Sequence, residues 1–233
     1  MVRIFDKKLF IMMLTIMVGT ILITFFVANI LNNLEMLKVE EAHMEEITTI
    51  TSKNENFTSR FIDSTVLLDK ARENRANGDF NFDLALLWYT SSLSEKNESS
   101  MDSYKIRGID NCTDALPNYY NSHNNFLEAN KYFEETKSYT DFYKYVEIVD
   151  LYLDLTESGS KLTLLRYNAT NFLKQLTENL TFNAETKNVT YLQNVTMLLE
   201  DFDEMLEEYG KELAKFDETK EEIDEYEMFD EIR

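Results

Sequence analysis

The chain of 233 residues carries 43 acidic against 23 basic side chains, a formal net charge of −20, which excludes the basic footprint of a general nucleic-acid binder and broad adhesion to anionic lipid heads. Five glycines and one proline are too few for the turns of a sheet or barrel and favour long helices. A single cysteine, Cys112, excludes an intrachain disulfide and any two-cysteine metal site, and reads as an inert thiol.

Residues 9–30 form an uncharged apolar run. As a helix at 1.5 Å per residue it reaches ~33 Å, enough to cross the hydrocarbon core of a bilayer. Arg3, Lys7 and Lys8 precede it against Asp6 alone, while Glu35, Glu40, Glu41, Glu45 and Glu46 follow it against Lys38. Basic residues flanking a span stay cytoplasmic, so residues 1–8 are expected inside the plasma membrane and residues 31–233 outside. The run is longer than the apolar region of a secretory signal peptide. The best cleavage position, after Ala28, has Phe26 where a small residue is needed, so an uncleaved anchor is expected. Thr15 and Gly19, and Thr20, Thr24 and Ala28, recur at steps of four. That spacing makes a packing face on which a second membrane helix approaches closely; a lone helix that happens to carry threonines explains it equally well.

Seven Asn-x-Ser/Thr triplets follow, at Asn56, Asn97, Asn111, Asn168, Asn179, Asn188 and Asn194, all beyond the apolar run. Such triplets accept glycans only in an exported chain, and an occupied one must face solvent. Their distribution agrees with the orientation read from charge.

Residues 31–199 read as an extracytoplasmic helical region. Leu34, Leu37, Met44, Ile47 and Ile50, then Phe57, Phe61, Val66, Leu67, Leu68 and Ala71, recur at threes and fours, one face of a helix. No proline or glycine falls between Ile30 and Arg75, so the span is expected to continue into this helix without a break. Asn77-Gly78-Asp79 is the expected stop, a left-handed cap followed by a polar starter. The dense apolar stretch 80–93, with the only tryptophan, Trp88, is expected to be buried in a second helix, and the polar run 94–100 to interrupt it. Pro117 predicts a kink or short break. Residues 138–141 predict a turn with Thr140 as a cap, and a third helix follows, in which Gly159 permits a bend. Residues 181–186 read as a loop before a last helix whose face carries Leu192, Val195, Leu198, Leu199, Phe202, Met205, Leu206, Tyr209, Leu213 and Phe216. The fold class is therefore all-α: a transmembrane helix continuing into an elongated antiparallel bundle of about four long helices, connected up-down-up-down.

Residues 200–233 hold sixteen acidic against four basic side chains. They lack the alternating acids and central glycine of a calcium loop and read as the solvated face of the last helix with an acidic tail, able to steer basic partners. Glu40 and His43 have the Glu-x-x-His spacing of di-iron bundles, but the only other histidine, His123, has Tyr120 in the matching position. No metal or cofactor is therefore expected. With only two histidines, on separate elements, a hydrolase triad has no material, and phosphate-cradling glycines are missing, so no enzyme is expected. The segment between Tyr119 and Tyr152 is rich in aromatics, with Tyr139, Tyr143 and Tyr145 as candidates for a partner surface. Two positions along a helix turn about 200°, so Tyr143 and Tyr145 cannot both face the core.

The sequence thus predicts a membrane-anchored, glycosylated, non-enzymatic protein acting through protein contacts or as a homo-oligomer: a scaffold, an adhesin-like element or an accessory subunit. A helical bundle on a membrane stalk also resembles the periplasmic domains of chemoreceptor-type proteins. That resemblance implies the alternative of a sensor or ligand-binding bundle that signals through a partner.

Overall fold

The computed structural model describes the backbone of residues 2–226 and the side chains of residues 35–226. In chain order its elements are α1 (Val2–Ser94), α2 (Glu98–Lys137), α3 (Tyr143–Glu178), β1 (Leu180–Asn183), β2 (Asn188–Tyr191) and α4 (Thr196–Glu225). The chain divides into two compact units, Met1–Lys53 and Asn54–Arg233. The membrane span expected at 9–30, with its packing face at Thr15, Gly19, Thr20, Thr24 and Ala28, lies outside the residues whose side chains are described. Among those that are described, no helix is long and apolar enough to cross a membrane.

In the first unit, the described side chains are all exposed. In the second, the part of α1 from residue 54 packs with α2, α3 and α4 as a four-helix bundle. Ring contacts give the helix directions. Near the start of this part of α1, Phe61 meets Phe133 of α2 and Tyr152 of α3; farther along, Phe82 meets Phe202 of α4. At the far end of α4, Tyr226 donates a hydrogen bond to the carbonyl oxygen of Lys144, beside the start of α3. The order is up-down-up-down, as short connections require.

The core has two halves. One gathers Phe57, Leu68, Phe126, Phe133, Leu155, Leu162 and Phe216; the other gathers Phe82, Ala85, Tyr119, Ala169, Leu173, Leu176 and Phe202. On α1 the buried positions Phe57, Ser64, Leu68, Ala71, Phe82, Ala85, Tyr89 and Ser92 keep one seam of threes and fours, the signature of near-parallel helix packing.

The stop at 77–79 and the loop at 181–186 are corrected, and at two further expected weak points the helices run unbroken. Asn77-Gly78-Asp79 does not stop a helix: α1 runs to Ser94, and among the described residues no glycine has a positive φ. Gly78 serves close approach instead, because a Cβ there would lie 2.7 Å from Cε1 of the Tyr119 ring. Pro117 lies inside an uninterrupted α2. The carbonyl its missing N–H leaves unpaired belongs to Thr113 on the exposed face, where water can satisfy it, while buried Ala115 and Tyr119 hold the helix against the core. The third helix likewise runs through Gly159 from Tyr143 to Glu178.

The expected loop at 181–186 is corrected as well: it belongs to a small antiparallel hairpin beside the otherwise all-helical bundle. Phe182 pairs with Val189 and Leu180 with Tyr191, and alternate β-branched and aromatic residues fit that pleat. The Oδ1 of Asn183 accepts from the backbone N–H groups of Glu185 and Thr186, an Asx turn that closes the loop. Nζ of Lys105 donates to the Leu180 carbonyl at 2.7 Å, and the Tyr191 and Tyr89 hydroxyls are hydrogen-bonded. The hairpin thus covers one end of the core. The last helix starts at Thr196, leaving Leu192 exposed before it.

The polar run at 94–100 does separate helices. Asn97 caps α2 by accepting from the Ser100 N–H at 3.2 Å. The stretch 80–93 is only partly buried: Phe80 and Leu87 are exposed, and Trp88 stacks on Tyr104 with Arg107 over its other side.

Candidate functional site

Between the two core halves lies a layer of charge to which all four helices contribute. Asp79 of α1 accepts a hydrogen bond from the Tyr119 hydroxyl of α2 at 2.8 Å. Its carboxylate lies 3.4 Å from Nε of Arg166 on α3 and 3.9 Å from Nε of Arg75, one turn back on α1. Arg166 also lies over the rings of Phe82 and of Tyr209 on α4, and Arg75 over the ring of Phe216. Two guanidinium groups thus face one carboxylate. Nη1 of Arg75 and Nε of Arg166 are buried without hydrogen-bond partners, so aromatic faces supply part of what water would give. The layer holds no nucleophile. It pins the four helices in one register.

Burial pushes the pKa of several tyrosines in the bundle upward. Desolvation is the first cause at Tyr89, Tyr119, Tyr152 and Tyr209, and at Tyr119 the Asp79 charge adds to it. Unfolded tyrosine ionises near pH 10. Above that pH the unfolded chain has lost phenolic protons that the folded chain keeps, so stability is full below about pH 10 and falls as pH rises beyond it. In an alkaline titration, tyrosinate absorbance from these rings is expected to appear together with loss of helical circular dichroism. Full ionisation with the helical signal intact would contradict this burial.

Cys112 is fully buried, and desolvation pushes its thiol up to about 12. A protonated, enclosed thiol is unreactive, in agreement with the inert reading. Of the histidines, His43 sits on the exposed first unit beside Glu46. His123 bridges α2 and α3, with Nδ1 3.0 Å from Ser160 Oγ and 3.1 Å from the Ser160 carbonyl. This serine–base pair escapes a sequence reading because its members stand 37 positions apart on different helices. Among the described residues no carboxylate is bonded to the ring, and Ser160 is buried. No cluster able to hold a metal occurs among the described residues.

At the end of the bundle where α3 begins, the candidate partner tyrosines separate. Tyr143 is exposed, as is neighbouring Phe142. Tyr145 is half-buried, stacked on Phe57 at 4.9 Å, and Tyr139 packs against the core. Of the three, only Tyr143 is exposed, its ring tilted against that of Phe142 at 5.6 Å. It borders an open groove of about 830 Å³ between α3 and α4, lined by Asp141, Glu147, Asp150, Asp154, Glu222 and Glu225. Lys137 pairs with Asp150 at 2.6 Å, and the Tyr226 hydroxyl donates to Glu147. A smaller open cleft, about 310 Å³, lies among Tyr119, Tyr120, His123, Leu164 and Tyr167.

Among the seven acceptor asparagines, Asn56, Asn97, Asn188 and Asn194 are exposed and Asn111, Asn168 and Asn179 are half-exposed. The Thr196 hydroxyl donates to Asn194 Oδ1 at 2.7 Å. Nζ of Lys96 donates to Asn188 Oδ1 at 2.7 Å. No family model, curated protein or solved structure matches the chain.

Proposed function

We propose that this chain is a single-pass, glycosylated membrane protein whose helical bundle stands outside the cell and acts without catalysis, through protein contacts, as a scaffold, adhesin-like element or accessory subunit. The observation that carries the reading is that all seven acceptor asparagines follow residues 9–30 and none is buried. This is the side to which the flanking charges assign the bundle. The contact surface is the groove between α3 and α4: carboxylates that attract basic partners, with the exposed ring of Tyr143 at the rim for packing.

The test is expression of the full chain in a eukaryotic secretory system. The chain is expected to stay with membranes through alkaline extraction, to gain mobility when an N-glycosidase removes its glycans, and to lose residues 31–233 to protease added outside intact cells. Recovery of the chain in the soluble fraction without detergent would overturn the reading. So would a bundle protected from external protease.

A further inference from the structure

Residues 35–53 of α1 are exposed throughout, yet they present Met36, Leu37, Val39, Met44, Ile47 and Ile50 to solvent, the least exposed of them at 53%. An exposed apolar face of this kind, interrupted by Glu40 and His43, marks a contact surface. Its register is that of a coiled coil. With Glu40 and Ile47 at position a, and Met36, His43 and Ile50 at d, Leu37 and Met44 fall at e and Val39 and Glu46 at g. Counted on along the sequence, the same step lands on buried Phe57, Leu68 and Ala71.

The flanking positions identify the occupant. When two like chains pair in parallel, each g residue faces the next e residue of the other copy. Val39 then meets Met44, an apolar pair, and Glu46 meets Thr51, so no flanking carboxylate opposes another. Glu35, Lys38, Glu41 and Glu45 stand at c, f, b and f, away from the seam. One layer opposes pairing, where Glu40 faces its own copy; it makes the Met36 end the weaker and the Ile47–Ile50 end the anchor of the contact. Two chains anchored in one membrane at residues 9–30 enter the segment side by side, in the same direction and at the same level. We propose that residues 36–50 of α1 form a parallel, in-register coiled coil with a second copy of this chain. The alignment rests on the membrane reading above.

The test is disulfide mapping of the full chain in detergent micelles. Cys112, being fully buried, gives a silent background. Under mild oxidation, Ile47→Cys and Ile50→Cys are expected to give roughly fivefold more covalent dimer than Thr48→Cys and Thr49→Cys, which fall at b and c. Combining Ile47→Asp with Ile50→Asp is expected to halve the mass found by light scattering, with helical signal retained. Equal cross-linking at all four sites, or none at 47 and 50, would overturn the pairing. A chain that extracts with membranes but fails to cross-link refutes the pairing alone. A chain that cross-links at 47 and 50 yet is soluble without detergent refutes the anchor and leaves the seam standing.

Discussion

Replacing Asp79 by alanine is expected to destabilise the bundle by about 3–5 kcal/mol, the range seen when one member of a buried ion pair is removed. The loss of an attraction is the smaller part of this. Arg75 and Arg166 keep only 18% and 15% of their side-chain exposure, and both already hold buried donors without partners. Without the carboxylate, two mostly buried cations remain between the core halves, and the Tyr119 hydroxyl loses its acceptor. Asp79→Asn separates these effects, since an amide oxygen can still accept from Tyr119 while the charge is gone; its loss should fall below that of alanine. Adding Arg166→Met to Asp79→Ala should then recover part of the stability, because an apolar side chain between the rings of Phe82 and Tyr209 leaves fewer stranded charges. Chemical denaturation of the wild type, these three variants and Arg166→Met alone, followed by helical circular dichroism, checks each step. Additive losses would show that Asp79 and Arg166 are not coupled.

What the sequence could and could not reveal follows from the range of each signal. Helix content, the break at 94–100, the turn at 138–141 and the apolar face of the last helix were legible because periodicity and capping act within a few turns. The seam of α1 was legible only in its apolar members. Ser64 and Ser92 are fully buried and face the core, yet a count of apolar residues passes over them. The same holds on α3, where Thr156, Ser158, Thr163, Thr170 and Thr177 are buried. Thr163 and Thr177 bond back to carbonyls one turn earlier, and Ser158 reaches Glu212 on α4 at 2.7 Å. Small polar side chains that satisfy themselves locally let helices approach closely, and their sequence looks like a solvated face.

The charge layer was hidden for a different reason. Arg75, Asp79, Tyr119, Arg166 and Tyr209 stand on four helices, and the three charged members, each taken alone, read as surface residues. A weak signal did exist: on α1, Arg75 and Gly78 occupy steps of the seam that carries Leu68, Ala71, Phe82 and Ala85, and a charge at a seam position must find a partner inside. The break expected at Gly78 concealed it. Glycine in a helical pattern signals a stop through its backbone freedom, whereas here it provides room for Tyr119. The hairpin escaped because four-residue strands carry too little alternation to stand apart from a loop. The acidic groove was legible as charge, but its location depends on α3 and α4 meeting side by side.

The glycines supply the second large effect, and they set propensity against packing. Alanine in a helix interior is about 1 kcal/mol better than glycine, so Gly159→Ala in the middle of α3 would stabilise an isolated helix. In the bundle, its Cβ would lie 2.4 Å from Cε1 and 2.6 Å from Cζ of Phe126. That ring is fully buried and meets Phe216 edge to face, so it has little room to yield. Overpacking of this kind typically costs about 1–3 kcal/mol, and so close an overlap with a pinned ring belongs at the upper end. A net loss of about 2 kcal/mol is expected, with α3 or α2 displaced to relieve the clash. Phe126→Leu alone should also destabilise, by leaving space beside Gly159. Combined with Gly159→Ala, it should lose less than the sum of the two, because each change makes room for or fills the other. Gly210 is the internal control: it lies in α4, is exposed, and a Cβ there would meet nothing within 4 Å. Gly210→Ala should therefore show the propensity gain unopposed, about 1 kcal/mol more stable. Opposite signs for the same substitution on two helices would separate packing from propensity, whereas a gain at both positions would mean that α2 and α3 do not approach at Gly159 as closely as the ring of Phe126 requires.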